Sequence, residues 1–140
     1  LGTADGQGGI EVTSGTAEGY ECDNEVILKA KKLALFNGGS VLESTNPIEA
    51  VNGVDVIYTD VWTSMGQEEE MFQRLEAFKE FQINDKLVAH AKKDYMFLHC
   101  LPAHREEEVA TSVIDGQNSY VFQQAGNRLH AQKAVLATLL

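Results

Sequence analysis

Residues 95–102, Tyr-Met-Phe-Leu-His-Cys-Leu-Pro, form a short apolar run that ends abruptly at a His-Cys pair and a Leu-Pro bond. A run of this length and composition predicts a buried strand. In open sheets of parallel strands, ligands bind just beyond the carboxyl ends of the strands. His99 and Cys100 therefore mark a place where we expect a site.

Predicted strands and predicted helices alternate along the rest of the chain. The remaining strands are predicted at 10–14, 40–43, 54–59 and 118–122, and the helices at 24–36, 47–50, 67–81, 84–91, 106–113 and 127–140. Such alternation requires right-handed crossovers and a parallel sheet with helices on both faces, the doubly wound, Rossmann-like α/β class. In the last helix we expect Leu129, Ala134, Val135 and Leu139 to face inward.

The length and composition favour one domain. A chain of 140 residues with 44% hydrophobic content is long enough for one compact core and short for two. Residues 1–9 are rich in glycine and predict a loop-like N-terminal segment, and residues 10–140 are assigned to the α/β domain.

The net charge of −10 argues against a nucleic-acid partner, which needs clustered Lys and Arg. The acidic runs 68–70 and 106–108 are interpreted as solvated first turns of helices. No apolar stretch of membrane-spanning length and no secretory leader is present in the sequence, so we expect no membrane partner.

Cysteine and histidine spacing gives no sign of a metal site or a disulfide framework. Cys22 and Cys100 lie far apart without a Cys-x-x-Cys pattern, which favours a reducing, cytoplasmic setting. His99, His104 and His130 lie on different predicted elements and lack the i, i+4 pairing of a helical zinc site, so no metal is expected.

Three polar clusters follow predicted strands: Asp60 with Ser64 and Met65, His99 with Cys100, and Asn127 with Arg128. Each has a structural alternative. Asp60 is equally suited to a helix cap, and Cys100 to a small buried apolar residue. Arg128 is suited to a surface ion pair, or to a helix start from which it forks onto an anion. His99 and Cys100 do not predict a nucleophilic pair, because adjacent residues on an extended chain point to opposite sides.

Three longer segments carry a resemblance to a known family. They are 60–68, Asp-Val-Trp-Thr-Ser-Met-Gly-Gln-Glu; 99–105, His-Cys-Leu-Pro-Ala-His-Arg; and 127–134, Asn-Arg-Leu-His-Ala-Gln-Lys-Ala. Together they closely resemble the C-terminal, ornithine-binding half of ornithine carbamoyltransferases, enzymes of arginine metabolism. The resemblance runs from about Gly19 to Leu140.

The resemblance implies a set of substrate contacts. Asp60 contacts the amino groups of ornithine, and Cys100 lies against the reacting δ-amine. Ser64 and the Met65 backbone hold the amino-acid end of ornithine. The Leu101 carbonyl contacts the carbamoyl amide, beside a cis Leu101–Pro102 bond. Arg128 reaches the carbamoyl phosphate oxygen. The implied reaction transfers the carbamoyl group to ornithine, gives citrulline and phosphate, and needs no metal or organic cofactor.

The sequence also departs from the family pattern. The carbamoyl phosphate domain is absent from it, as are most of the first strand and helix of the ornithine-binding domain. We therefore keep two hypotheses. One is the ornithine-binding part of a carbamoyltransferase, completed by the missing carbamoyl phosphate domain in cis or in trans and forming a homo-oligomer. The other is a non-catalytic, dissected or degenerate α/β domain.

Overall fold

The computed structural model describes residues 9–63 and 70–140. Its strands are β1 (Glu11–Gly15), β2 (Ser40–Ser44), β3 (Val56–Thr59) and β4 (Met96–His99). Its helices are α1 (Asn24–Phe36), α2 (Pro47–Val51), α3 (Met71–Phe78), α4 (Asp85–Val88), α5 (Thr111–Ile114) and α6 (Val121–Leu139). A 3₁₀ turn, Lys79–Phe81, continues α3. The start predicted for α3 at Gln67 lies outside the described residues.

Side-chain caps explain where three of the helices begin. Asp23 accepts hydrogen bonds from the backbone N–H groups of Glu25 and Val26, and α1 starts directly after it. Asn46 and Asn84 cap α2 and α4 in the same way. The bounds predicted for α1 from its cap and from Gly38 beyond its end are confirmed.

The strands form two parallel pairs. β1 pairs with β2, and β3 pairs with β4 in a register that places Thr59 opposite His99. Within the described ranges β1 and β3 do not pair with each other, so each of these two strands has one edge without a strand partner. Parallel pairing agrees with the predicted α/β class.

The core lies on one face of the β3–β4 pair. Because side chains alternate along a strand, Ile57, Phe97 and His99 point to this face, and all three are buried. They pack with side chains from the segments that follow, namely Val109, Val113, Ile114 and Val121. The opposite face, which carries Tyr58 and Cys100, stays partly open to solvent.

The strand predicted at 118–122 is wrong. Only a single bridge joins Ser119 to Phe97, and α6 begins at Val121. Val121 and Phe122 suggested a strand because β-branched and aromatic residues favour one. Burial of Val121 against the core instead fixes the first turn of a helix that starts six residues before the predicted position.

The predicted inward face of the last helix is also wrong. Leu129 is 55% exposed and Leu139 78% exposed, and Ala134 and Val135 are exposed as well. Among the described elements α6 packs mainly against β4, close to its own start. Most of its apolar side chains therefore face solvent.

The acidic run 106–108 is not a solvated helical turn. Residues 105–109 form a tight turn in which Glu106 has a φ of 65°, and the following helix, α5, starts only at Thr111. Glu108 is fully buried, because it faces His99 across the core. In the run 68–70, Glu68 and Glu69 lie outside the described residues, and Glu70 forms a surface pair with Arg74.

No helix within the described ranges combines the length and the apolar character needed to cross a membrane.

Candidate active site

Asp60 and Cys100 follow directly after β3 and β4, at the carboxyl ends of two paired strands. Because Thr59 lies opposite His99, Asp60 and Cys100 come next in the same register. Both project from the face opposite to the core, together with Tyr58 two residues earlier. Two of the three predicted clusters therefore meet at one edge of the sheet, where an open parallel sheet binds its ligands.

The surroundings of Cys100 favour its neutral thiol. Partial burial raises the pKa of Cys100, and the neighbouring Asp60 raises it further by accepting a hydrogen bond and by its charge. The Tyr58 hydroxyl acts in the opposite direction by donating to the sulfur. Cys100 Sγ lies 4.0 Å from His99 Nδ1, an atom that already accepts a hydrogen bond from the backbone. This environment suits a thiol that contacts a substrate better than an ionised nucleophile.

Two hydrogen bonds hold His99 in one tautomer. The Leu101 N–H donates to His99 Nδ1 at 2.9 Å, so the ring hydrogen sits on Nε2. His99 Nε2 then donates to Glu108 Oε1 at 3.2 Å, with both side chains excluded from solvent. The His104 N–H donates to the same oxygen at 2.6 Å. Glu108 thus ties the end of β4 to the turn that follows it.

The backbone at Leu101 has an unusual shape. Leu101 has a φ of 53°, in the left-handed region that costs a non-glycine residue about 1–3 kcal/mol. The Leu101–Pro102 bond is cis, as the resemblance implies. The hydrogen bond from Leu101 N–H to His99 holds this conformation, so the buried histidine positions the backbone beside Cys100.

The first turns of α6 reach the same edge of the sheet. Gln124 Oε1 accepts a hydrogen bond from the His99 N–H at 3.0 Å. Arg128 follows four residues later, on the same side of the helix. It lies in the interior of α6 and is exposed, so the expectation that Asn127 and Arg128 start a helix after a strand is wrong.

The loop after Asp60 is described only at its start. Trp62 is half-buried and stacks on Phe78, with ring centroids 5.9 Å apart. Ser64 and Met65 lie outside the described residues.

Three residues at this site were not predicted from the sequence: Tyr58, Glu108 and Gln124. The period of two along β3 could have indicated Tyr58, since it shares a face with Asp60. Glu108 and Gln124 gave no local signal, because the His99 atoms that they contact lie 9 and 25 residues away.

Comparison with known proteins identifies related sequences over nearly the whole chain. Residues 6–139 match the family described as "Aspartate/ornithine carbamoyltransferase, Asp/Orn binding domain". Ornithine carbamoyltransferase from Anoxybacillus flavithermus is 53% identical over 132 residues, and that from Pyrococcus horikoshii is 58% identical over 132 residues. Each alignment covers 94% of this chain and 42% of the relative, so the chain spans less than half the length of these relatives.

The fold is shared with solved structures of similar proteins. Ornithine carbamoyltransferase from Pyrococcus furiosus superposes with a TM-score of 0.87 at 58% identity, over 91% of this chain and 41% of that protein. The predicted Rossmann-like α/β class is therefore confirmed.

Proposed function

This chain belongs to the aspartate/ornithine carbamoyltransferase family, as an Asp/Orn binding domain, and on that premise we propose that it is the ornithine-binding part of a carbamoyltransferase. In this proposal the carbamoyl group of carbamoyl phosphate is transferred to the δ-amine of ornithine, giving citrulline and phosphate. The relatives quoted above carry the name ornithine carbamoyltransferase, which supports ornithine over aspartate as the acceptor.

The observation that carries the proposal is the adjacency of Asp60 and Cys100 beyond the paired ends of β3 and β4. The δ-amine of ornithine is cationic in water and must become neutral before it attacks a carbonyl carbon. The Asp60 carboxylate can accept hydrogen bonds from such an amine. A neutral Cys100 thiol beside it adds no second negative charge that would hold the amine in its protonated form.

The remaining roles follow the charge that develops during the reaction. Attack on the carbonyl carbon places negative charge on the carbamoyl oxygen, and in this proposal the Arg128 guanidinium stabilises that charge. The Leu101 carbonyl accepts a hydrogen bond from the carbamoyl amide, and its strained conformation supports a positioning role. Ser64 and Met65 are proposed to hold the amino-acid end of ornithine.

The proposal also includes partners and a location. A carbamoyl phosphate domain, in the same polypeptide or in a separate one, supplies the phosphate contacts, and the assembly is a homo-oligomer. A reducing, cytoplasmic setting is supported by Cys22 and Cys100, which are both free thiols.

One observation favours the alternative of a non-catalytic domain. Within the described residues, the sheet consists of two separate strand pairs with free edges. An incomplete sheet holds the strands that position Asp60 and Cys100 less firmly. The alternative therefore predicts a folded chain without transferase activity even when a carbamoyl phosphate domain is provided.

The two hypotheses separate in a citrulline assay. We would replace the aligned region of the Pyrococcus furiosus enzyme with this chain and compare the chimera with the isolated chain. We expect citrulline from the chimera with ornithine, no carbamoylation of aspartate, and no turnover by the isolated chain. Arg128→Ala in the chimera should lower kcat by about 10²–10³-fold.

The matched control is Lys133→Ala, which removes another exposed positive charge from α6 and should leave kcat unchanged. A folded chimera that binds carbamoyl phosphate but forms no citrulline would support the non-catalytic alternative. Equal losses for Arg128→Ala and Lys133→Ala would contradict the role proposed for Arg128.

A further inference from the structure

The turn that follows β4 gathers an imidazole and two carboxylates. His104, Glu107 and Glu108 each offer one ligand atom, and these three atoms lie within 4.8 Å of one another. His104 Nδ1 lies 3.4 Å from Glu107 Oε2. Two ligands of a tetrahedral zinc ion are separated by roughly 3.3 Å, as follows from zinc–ligand bonds of about 2.0–2.1 Å. The spacing of this pair therefore suits a shared metal ion.

Glu108 supplies an independent sign of a missing ligand. Its Oε1 accepts hydrogen bonds from His99 Nε2 and from the His104 N–H. Its Oε2 is buried and has no hydrogen-bond partner among the described residues. A buried polar atom without a partner is rare in native proteins, and an ion is one of its recurrent explanations.

We propose that His104, Glu107 and Glu108 bind a divalent transition-metal ion, with zinc as the best match. One imidazole nitrogen and two carboxylate oxygens are ordinary zinc ligands. Magnesium and calcium prefer sites made of oxygen alone, so the imidazole argues against them. Three protein ligands leave a further coordination position for water. The site does not depend on the proposed transferase activity.

Backbone hydrogen bonds hold the turn that carries these three residues. The Glu107 N–H donates to the His104 carbonyl at 3.2 Å, and the Glu106 N–H donates to the Val109 carbonyl at 2.8 Å. The side chains of His104 and Glu107 are 45% and 42% exposed, so either can rotate to admit an ion. Glu108 is held in place by its hydrogen bonds to His99 and to the backbone N–H of His104.

Metal binding at this turn would also act on the candidate active site. Glu108 is the hydrogen-bond partner of His99, and His99 in turn holds the Leu101 N–H. Groups that orient metal ligands commonly change metal affinity when they are altered, and the linkage operates in both directions. An ion held by Glu108 would therefore stiffen the backbone that carries Leu101.

The test is a calorimetric titration of zinc chloride into the full 140-residue chain carrying Cys22→Ser and Cys100→Ser, which removes both thiols. We expect one equivalent of zinc to bind and the affinity to fall at least tenfold in His104→Ala and in Glu107→Gln. Both changes are at half-exposed side chains, so the fold should persist, which far-UV circular dichroism checks.

The matched controls are His130→Ala and Glu25→Gln, which remove an exposed imidazole and an exposed carboxylate elsewhere. Both should bind zinc like the parent chain. Absence of zinc binding to the thiol-free chain would overturn the proposal. The buried Glu108 Oε2 would then be satisfied by a water molecule or by a proton. Binding that survives both His104→Ala and Glu107→Gln, or that is lost in a control, would also overturn it.

Discussion

Truncation of Glu108 tests whether one buried carboxylate organises the end of β4. In Glu108→Ala, the His99 Nε2–H and the His104 N–H both lose their acceptor, because each donates to Glu108 Oε1. An unsatisfied buried donor costs about 1–3 kcal/mol. Two such donors, together with the cavity that is left, lower the free energy of unfolding by about 3–6 kcal/mol. Domains have about 5–15 kcal/mol in total, so the loss is severe.

Glu108→Gln separates the hydrogen bonds from the size of the side chain. Its amide oxygen can accept both bonds, and only the new NH₂ group, at the place of Oε2, lacks a partner. We expect a loss of about 1–3 kcal/mol. Glu107→Gln, a half-exposed neighbour, should change stability by less than about 0.5 kcal/mol.

Urea unfolding of the three variants and the parent, followed by circular dichroism, measures these differences. The expected order of stability is parent, Glu107→Gln, Glu108→Gln and then Glu108→Ala. Equal losses for the Gln and Ala substitutions at residue 108 would refute the reasoning, because the shared acceptor would then contribute nothing.

Two further predictions concern charge. Asp60 raises the pKa of the Cys100 thiol and Tyr58 lowers it. In a Cys22→Ser background, Asp60→Asn should therefore speed the alkylation of Cys100 by iodoacetamide at neutral pH, and Tyr58→Phe should slow it. Rate changes in the same direction for both variants would contradict this. The hydrogen bond and charge of Arg105 hold the pKa of Asp115 below its ordinary value, so the contribution of this pair to stability is present at neutral pH and is progressively lost as the pH falls below about 4. Urea midpoints of Asp115→Asn should therefore lie below those of the parent at pH 7, and the gap should narrow as the pH falls below about 4; a constant gap would argue against the linkage.

Local sequence patterns predicted the structure of those segments whose conformation depends mainly on their own residues. Asp23 and Gly38 mark the ends of α1 because a cap and a left-handed glycine act within one helical turn. The apolar runs before Asp60 and Cys100 predicted β3 and β4. Asp60 and Cys100 were both predicted to follow a strand, and the pairing of β3 with β4 brings these two strand ends together.

Long-range contacts explain what the sequence could not predict. Glu108 belongs to a run of three glutamates that resembles a solvated surface, and only its partner His99 accounts for its burial. Val121 has a strand-like side chain, yet its place in the core starts a helix. Gln124 enters the site through a hydrogen bond to a backbone group 25 residues away.

The free strand edges also govern how the chain behaves in solution. Each unpaired edge presents a row of backbone donors and acceptors that a further strand can satisfy. A further parallel strand in the right register could pair with such an edge through backbone hydrogen bonds alone, whatever its side chains. Amides on these edges should therefore exchange with solvent faster than those inside each pair, and their protection would report directly on completion of the sheet.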